Sequence, residues 1–304
     1  MIYSEYTRYH TNESGIFDLT KLIDLCVLNQ ENNVVRNRLT YSMRAKFAVL
    51  IILCLAMAFG ENLLANEMLK YGPTVAPYAV PLSQDHKYFQ DSKNMAFDYW
   101  NLAPFYVPQI NELSCSVASV TMILNGIIRT GHSLKAEDTN VTQTKLIERI
   151  KALNWKERIT PGGFNGEAGL KLDQLETVVK ETLRQYEVSN YEIDRVEVVN
   201  GDVTALEKFR RALAANEGNG NDYIMIHFLQ DIVTEAQGGP YPHISPVGAY
   251  DKTNKRVLVM DVDREWYEPY WVSDERLLLA MSKKTEKFGF GGYLWIRVKS
   301  CNNK

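Results

Sequence analysis

The pattern of apolar and polar positions divides the chain into a polar start, a helical middle and a strand-rich end. Residues 1–42 are mostly polar, and Phe47–Phe59 is a nearly unbroken apolar run. Farther along, apolar residues recur at i, i+3, i+4 and i+7, which indicates amphipathic helices. We predict helices at the end of 108–129, over Val141–Leu153, Leu172–Tyr186 and Val203–Ala215, and a short one near Asp91–Tyr99.

The C-terminal third consists of short apolar runs separated by turn residues, a pattern typical of strands. Asp251–Asn254 is the predicted turn between two of these strands. Helices followed by an antiparallel sheet indicate the α+β class rather than the alternation of a parallel α/β fold. The predicted strands are Val196–Val199, Tyr223–Leu229, His243–Tyr250, Arg256–Val262, Tyr270–Val272 and Tyr293–Val298.

The apolar run Phe47–Phe59 follows the basic segment Met43–Lys46. A membrane span needs about 20 residues, so this shorter run better fits the core of a signal peptide. We therefore predict a signal peptide over 43–65, preceded by an extension over 1–42 that is not part of the mature protein. The protein would then be exported to the periplasm or outside the cell, with membrane contact only during export. The alternatives are an uncleaved membrane anchor at Phe47–Phe59 or a buried helix.

Composition narrows the possible functions. A chain of 304 residues with 45% hydrophobic content can form one large or two small domains. The net charge of −3 and the scattered Lys and Arg residues argue against nucleic acid as a partner. The cysteines show neither CxxC nor Cys/His ligand spacing, so we expect no structural zinc site and no disulfide framework. They are Cys26, Cys54, Cys115 and Cys301.

Cys115 is the candidate nucleophile. Ser114 is the predicted N-cap of the helix that follows it, with a hydroxyl that can accept a hydrogen bond from the first turn. Free N–H groups and the helix dipole favour negative charge there, and the thiolate is the form that attacks carbonyls. Gln109 lies six residues upstream and can supply an oxyanion donor. The alternative is a buried cysteine beside an unrelated glutamine.

His243 is the candidate base, because it follows a glycine–proline loop and begins a strand. Asp261 ends the next apolar run, and the turn between the two strands brings it toward the imidazole. A buried carboxylate there would orient the ring and favour its protonated form. Asp263 is the competing acid, and a loop histidine is the alternative for His243. We expect His227 to be a satisfied core residue, because it lies inside an apolar strand.

Several blocks of the sequence, from about Phe97 to Ile296, resemble the phytochelatin synthase family in its short bacterial form. The resemblance implies a papain-like fold within the α+β class, with an extended lead over 66–96 and a catalytic domain over 97–304. It also implies Cys115 as nucleophile, His243 as base, Asp261 as orienting acid and Gln109 in the oxyanion hole. The blocks are QINELSCSVASVTMILNGI, GLKLDQL, HISPVGAYDKTNKRVLVMDVDREWYEPYWV and LLLAM.

The resemblance further implies an acyl transfer on glutathione or a related γ-glutamyl peptide. Cys115 would attack the Cys–Gly bond, release glycine and form a γ-glutamylcysteinyl thioester. Water would convert the thioester into γ-glutamylcysteine, and a second glutathione would convert it into phytochelatin; we expect hydrolysis to be faster. No cofactor would be required, while Cd²⁺ or Zn²⁺ could enter as a glutathione thiolate and link the enzyme to metal detoxification. A homodimer is possible, and we predict no metal site on the protein itself.

The sequence also departs from the family pattern around the substrate. Pro240–Pro242 separate Gly239 from His243, and Ser116 stands where the family has glycine. Gly291 stands where an arginine that pairs with a substrate carboxylate is expected, so Lys283, Lys284 or Lys287 would have to replace that cation. We name Arg264, Gly239, Ser116 and Tyr293 as substrate-binding candidates. The alternatives are a cysteine peptidase or amidase for another small peptide and a non-catalytic binding module.

Overall fold

The computed structural model describes residues 78–130 and 140–299. They lie within one compact unit, Ala65–Lys304. The predicted extension and signal peptide lie outside the described residues, as do Cys26, Cys54 and Cys301. No helix of the described segments is long and apolar enough to cross a bilayer.

Seven strands form one sheet in which every neighbouring pair is antiparallel. The strands are β1 Ala79–Pro81, β2 Tyr191–Glu197, β3 Asp222–Leu229, β4 Pro242–Asp251, β5 Arg256–Val259, β6 Tyr270–Ser273 and β7 Gly292–Val298. Their order across the sheet is β1-β6-β5-β4-β3-β7-β2. The predicted α+β class is confirmed. The predicted strands lie in this sheet, except that β2 contains only the first two residues of Val196–Val199 and β5 only the first four residues of Arg256–Val262.

Helices cover the sheet, and most of them come before the central strands. They are α1 Phe97–Leu102, α2 Cys115–Arg129, α3 Gln143–Arg149, α4 Trp155–Arg158, α5 Leu172–Gln185, α6 Val203–Glu217, α7 Gln230–Thr234 and α8 Asp274–Ser282. The predicted helices at 108–129, Leu172–Tyr186 and Val203–Ala215 are confirmed as α2, α5 and α6. Helices α4, α7 and α8 were not predicted.

Two predicted helices are wrong in their extent. The helix expected over Val141–Leu153 ends at Arg149, and the backbone then turns at Leu153 and Asn154, which have positive φ angles of 58° and 52°. The helix expected near Asp91–Tyr99 begins only at Phe97, after Ala96 in a left-handed conformation. The first helix ends where Ile150 takes an extended conformation, and the second begins only after the left-handed Ala96. The apolar spacing gives no sign of either change in the backbone.

Helix α2 is the central helix, and every residue from Ser116 to Ile127 is buried. Its polar face consists of small residues, so neighbouring elements can approach from all sides, as is typical of core helices. Ser119 Oγ donates a hydrogen bond of 2.9 Å to the carbonyl of Ile244 on β4. This packing fixes the start of α2, and therefore Cys115, relative to β4.

Strand β3 separates two hydrophobic cores. Met225 packs in the core that contains α2 and α5, while Ile224 and Ile226 pack in the core that contains α6 and α8. Because both faces of the sheet are covered, β3 is a continuous apolar run without the polar alternation of a half-exposed strand. The sheet thus has no solvent-facing side at β3.

Candidate active site

Cys115 is the first residue of α2, and its half-buried side chain lies at the helix N-terminus. Ser114 occupies the N-cap position as predicted, but the predicted capping hydrogen bond from its hydroxyl is wrong. Ser114 Oγ instead pairs with the main chain of Asn111, accepting from its N–H and donating to its carbonyl, each at 2.9 Å. The competing local turn uses the hydroxyl and leaves the first helical turn without a side-chain cap.

His243 joins Cys115 to Asp261. Its Nε2 atom lies 2.8 Å from Asp261 Oδ1, and its ring interacts electrostatically with the Cys115 thiol. With Nε2 used by the carboxylate, Nδ1 is the nitrogen that remains for the thiol. Burial alone would lower the pKa of His243, but Asp261 and then Cys115 outweigh it and raise the pKa well above its usual value. The arrangement can hold an imidazolium beside a thiolate.

Asp261 is completely buried and accepts hydrogen bonds on both oxygens. Oδ1 receives the main-chain N–H of Asp263 at 2.9 Å in addition to His243. Oδ2 receives the Gln230 amide at 2.9 Å and the Tyr270 hydroxyl at 2.8 Å. Burial would raise the pKa of Asp261, but His243 and these donors lower it below its usual value. Asp261 therefore stays ionised, and it, rather than the competing Asp263, holds the imidazole.

Gln109 is tied to the same segment through its main chain, whose N–H donates to the carbonyl of Val262 at 2.8 Å. Its side-chain Nε2 lies 3.4 Å from Asp263 Oδ1, and its Oε1 is buried without a hydrogen-bond partner among the described residues. Gln109 thus lies beside Val262 and Asp263, the two residues that follow Asp261. Its role as oxyanion donor stays a prediction.

A comparison with protein-family models identifies the family of the chain. Residues 75–290 match the protein-family model described as phytochelatin synthase. The chain belongs to the phytochelatin synthase family. A search of curated proteins found no match.

The proposed substrate-binding residues of this family member lie in different environments. The guanidinium of exposed Arg264 lies over the Tyr106 ring at 4.5 Å, and Tyr106 donates to the Asp261 main-chain carbonyl. Gly239 is exposed in the loop before His243. Ser116 is buried and accepts a hydrogen bond of 3.0 Å from the Trp155 indole. Arg264 and Gly239 therefore lie near the His243–Asp261 pair, while the hydroxyl of Ser116 is used in packing.

Tyr293 lies apart from the nucleophile. Its buried ring packs against Phe209 at 5.2 Å, in the core that contains α6 and α8. Cys115 packs against the other core, which contains α2 and α5. The position of Tyr293 gives its predicted role in substrate binding no support.

Several residues that support the site were not recognised from the sequence. Gln230 and Tyr270 bond to Asp261, and Trp155 bonds to Ser116, yet none has a recognisable motif or spacing. His227 is buried as predicted, but its Nδ1 has no hydrogen-bond partner within the described segments, so it is not a satisfied core residue. Burial, and then the charge of His243, lower the pKa of His227 to about 4. His227 is therefore a neutral imidazole close to the active site.

No group of three or more His, Cys, Asp or Glu side chains within residues 78–130 and 140–299 is arranged to hold a metal ion.

Proposed function

We propose that this protein cleaves the Cys–Gly bond of glutathione through a γ-glutamylcysteinyl thioester on Cys115. Membership in the phytochelatin synthase family implies glutathione γ-glutamylcysteinyltransferase-like activity. The observation that carries the mechanism is the buried His243–Asp261 pair, whose imidazole interacts electrostatically with the Cys115 thiol. A base that is oriented by an acid and acts on a neighbouring thiol is the arrangement that activates the thiol for acyl transfer.

The first half of the reaction releases glycine. His243 Nδ1 takes the thiol proton, and Cys115 Sγ attacks the carbonyl carbon of the Cys–Gly bond. The Cys115 main-chain N–H at the start of α2 and the Gln109 amide stabilise the negative oxygen of the tetrahedral intermediate. His243 then returns the proton to the glycine nitrogen as the C–N bond breaks. Asp261 stabilises the imidazolium throughout.

The second half resolves the thioester. His243 removes a proton from water, or accepts one from the amino group of a second glutathione, as that nucleophile attacks the thioester carbonyl. Water gives γ-glutamylcysteine and glutathione gives phytochelatin, while Cys115 leaves as the thiolate. We propose that water is the faster acceptor and that Cd²⁺ or Zn²⁺ takes part as a glutathione thiolate. We also propose that the enzyme acts after export.

The test is incubation of the full chain with glutathione, with glycine and peptide products followed by mass spectrometry. Wild-type protein is expected to release glycine and γ-glutamylcysteine, and Cys115→Ala to release neither. Longer (γ-Glu-Cys)n products on addition of cadmium would add synthase activity. If no glycine appears although Cys115 alkylates rapidly near neutral pH, the enzyme acts on another small peptide. If the thiol is also unreactive, a binding module is the better description.

A further inference from the structure

The side-chain amide of Gln109 has two ends of opposite chemistry, and only one of them can serve an oxyanion. The Nε2 end carries two N–H donors, whereas the Oε1 end is an acceptor of similar size and shape. A donor to a negative oxygen must present Nε2, because Oε1 would repel that oxygen. The neighbours of the amide therefore decide whether Gln109 can act, since they determine which end takes which place.

Asp263 is the neighbour that distinguishes the two ends. Gln109 Nε2 lies 3.4 Å from Asp263 Oδ1, within hydrogen-bond distance. An ionised carboxylate accepts hydrogen bonds and donates none, so it attracts Nε2 and repels Oε1. If the two ends of the amide were exchanged, two acceptor oxygens would face each other. One N–H of Nε2 is sufficient for the contact with Asp263, and the second can donate to a substrate oxygen.

The other end of the amide shows that this orientation is imposed. Gln109 Oε1 is buried and has no hydrogen-bond partner among the residues that the structure describes. A buried acceptor without a partner is costly, so such an orientation persists only where another contact favours it. The contact of Nε2 with Asp263 supplies that preference. The unsatisfied oxygen therefore indicates that Asp263 holds the amide against a local cost.

Asp263 is itself held in place next to the catalytic acid. Its main-chain N–H donates to Asp261 Oδ1 at 2.9 Å, and its carbonyl accepts the N–H of Tyr267 at 2.9 Å. The main chain of Gln109 is tied to the same segment, because its N–H donates to the carbonyl of Val262 at 2.8 Å. The two side chains that meet thus extend from backbones that are fixed relative to each other and to Asp261.

We propose that Asp263 is a positioning residue that turns the Gln109 amide so that its N–H serves the oxyanion of the reaction on Cys115. The inference rests on the proposed function, in which Gln109 stabilises the tetrahedral intermediate. It gives Asp263 a role other than that of the competing acid, since Asp261 holds the imidazole. Asp263 touches no reacting atom in this role and acts through Gln109.

Two reactions of Cys115 in the full-length protein separate oxyanion stabilisation from thiol reactivity, with Cys115→Ala as the background. Acylation by p-nitrophenyl acetate passes through a tetrahedral oxyanion as the thiolate displaces p-nitrophenolate. Alkylation by iodoacetamide displaces iodide at a saturated carbon and forms no oxyanion. Asp263→Ala is expected to slow acylation by about tenfold or more, the effect of one lost hydrogen bond to a charged group. Alkylation and its pH dependence should stay unchanged.

Two further variants distinguish positioning of Gln109 from a general structural role. Asp263→Asn keeps an acceptor for Nε2, but its own amide can also pair with Oε1. If both orientations are equally populated, acylation falls by only about twofold, with an unchanged pH profile. Gln109→Ala removes the donor and is expected to cost about 10²–10³-fold. Adding Asp263→Ala to Gln109→Ala should slow acylation no further, because no amide is left to position.

Asp194→Ala is the matched control, because Asp194 is an exposed aspartate on β2 that pairs with Arg297. It is expected to change neither reaction. Equal slowing of acylation and alkylation in Asp263→Ala, or additive losses in the double variant, would overturn the proposal. If Asp263→Ala does not fold, Asp263→Ser takes its place with the same expectations, because its hydroxyl is one bond shorter than the carboxylate and falls short of Gln109.

Glycine release from glutathione by the wild-type enzyme separates this inference from the proposed function. Acylation by the ester that depends on Asp263, without glycine release, would retain the positioning role and reject glutathione as the substrate. Glycine release together with acylation that does not depend on Asp263 would retain the reaction and reject the positioning role.

Discussion

At the scale of single residues, the reactivity of the site depends on how completely Asp261 is satisfied. Four donors surround its buried carboxylate, from His243, Asp263, Gln230 and Tyr270. A buried carboxylate without these donors would take up a proton and lose its hold on the imidazole. Gln230 and Tyr270 thus act through Asp261 and keep it ionised.

We expect Asp261→Asn to lower kcat/KM by about 10²–10⁴-fold, because a neutral amide does not stabilise the imidazolium. Burial already lowers the pKa of His243, and Asp261 is the main group that opposes it. The variant should therefore lose its imidazolium at a lower pH than wild type. The pH dependence of Cys115 alkylation and of kcat/KM measures this shift.

Asp263→Asn is the matched control, since it retains the main-chain N–H that bonds to Asp261. Its pH profile should stay close to that of wild type. If the basic limb of the kcat/KM–pH profile is unchanged in Asp261→Asn, Asp261 does not stabilise the imidazolium.

At the scale of elements, the segment between β3 and β4 determines where His243 lies. The carbonyl of Tyr241 accepts the N–H of Gln230 at 2.9 Å, and the N–H of Tyr241 donates to Asp231 at 2.7 Å. Helix α7 and the loop after it are therefore held together just before β4 begins at Pro242. Gln230 of the same helix also donates its side-chain amide to Asp261. Helix α7 therefore holds both the loop before His243 and the Asp261 carboxylate.

Gly239→Ala is expected to disturb this support. A Cβ atom there would lie 2.4 Å from Asp231 Cγ and 2.9 Å from its Cβ, so the carboxylate must move away from Tyr241. We expect a loss of about 1–3 kcal/mol in the free energy of unfolding, as for an overpacked site, together with reduced kcat. Thermal unfolding and glycine release measure the two effects.

Gly218→Ala serves as the comparison, because the nearest atom to its Cβ would be 3.7 Å away, an ordinary contact. This variant should keep both its stability and its activity. Equal behaviour of the two variants would show that the contact with Asp231 does not matter.

At the scale of the whole molecule, the stability of the fold depends on two buried carboxylates whose pKa values are raised. Asp98 on α1 and Asp222 on β3 are both buried, and each has an oxygen without a hydrogen-bond partner in the described part of the chain. Burial, and then the charge of Asp222, raise the pKa of Asp98 well above its usual value. Burial likewise raises the pKa of Asp222 to about 6, although the Trp295 indole N–H opposes the change.

These shifts predict a fold that loses stability as the pH rises. In the unfolded chain Asp222 has its ordinary pKa of 3.8, whereas in the folded protein its pKa is about 6. Stability should fall between these pH values, by about 3 kcal/mol for Asp222 alone at 1.36 kcal/mol per pH unit. Asp222→Asn keeps an acceptor for Trp295 and removes the titration.

Unfolding in urea at pH 4 and pH 7 tests this prediction. Asp222→Asn should gain stability relative to wild type at pH 7 and gain little at pH 4. Asp202→Asn is the control, because that carboxylate is an exposed N-cap that accepts from Ala205. A gain of equal size at both pH values would exclude titration of Asp222 as the cause.

The sequence by itself determined the α+β class, the helix that begins at Cys115, the strand that carries His243 and the next strand, which Asp261 follows. These features depend on short-range order: apolar spacing, turn residues, and a hairpin that brings neighbouring strands together. Asn254 donates its main-chain N–H to Asp251 in that hairpin, as expected for such a turn. The contact between Asp261 and His243 could be predicted because Asp261 follows the strand next to the one that carries His243.

Only the tertiary structure decided which groups support the site. Gln230, Tyr270 and Trp155 come from separate elements that meet after folding, so their spacing in the sequence carries no signal. The hydroxyl of Ser114 had two possible partners, and the turn at Asn111 competed successfully with the helix end. Which of these hydrogen bonds form depends on tertiary packing, because packing determines which buried donors find acceptors. The local sequence pattern does not determine this.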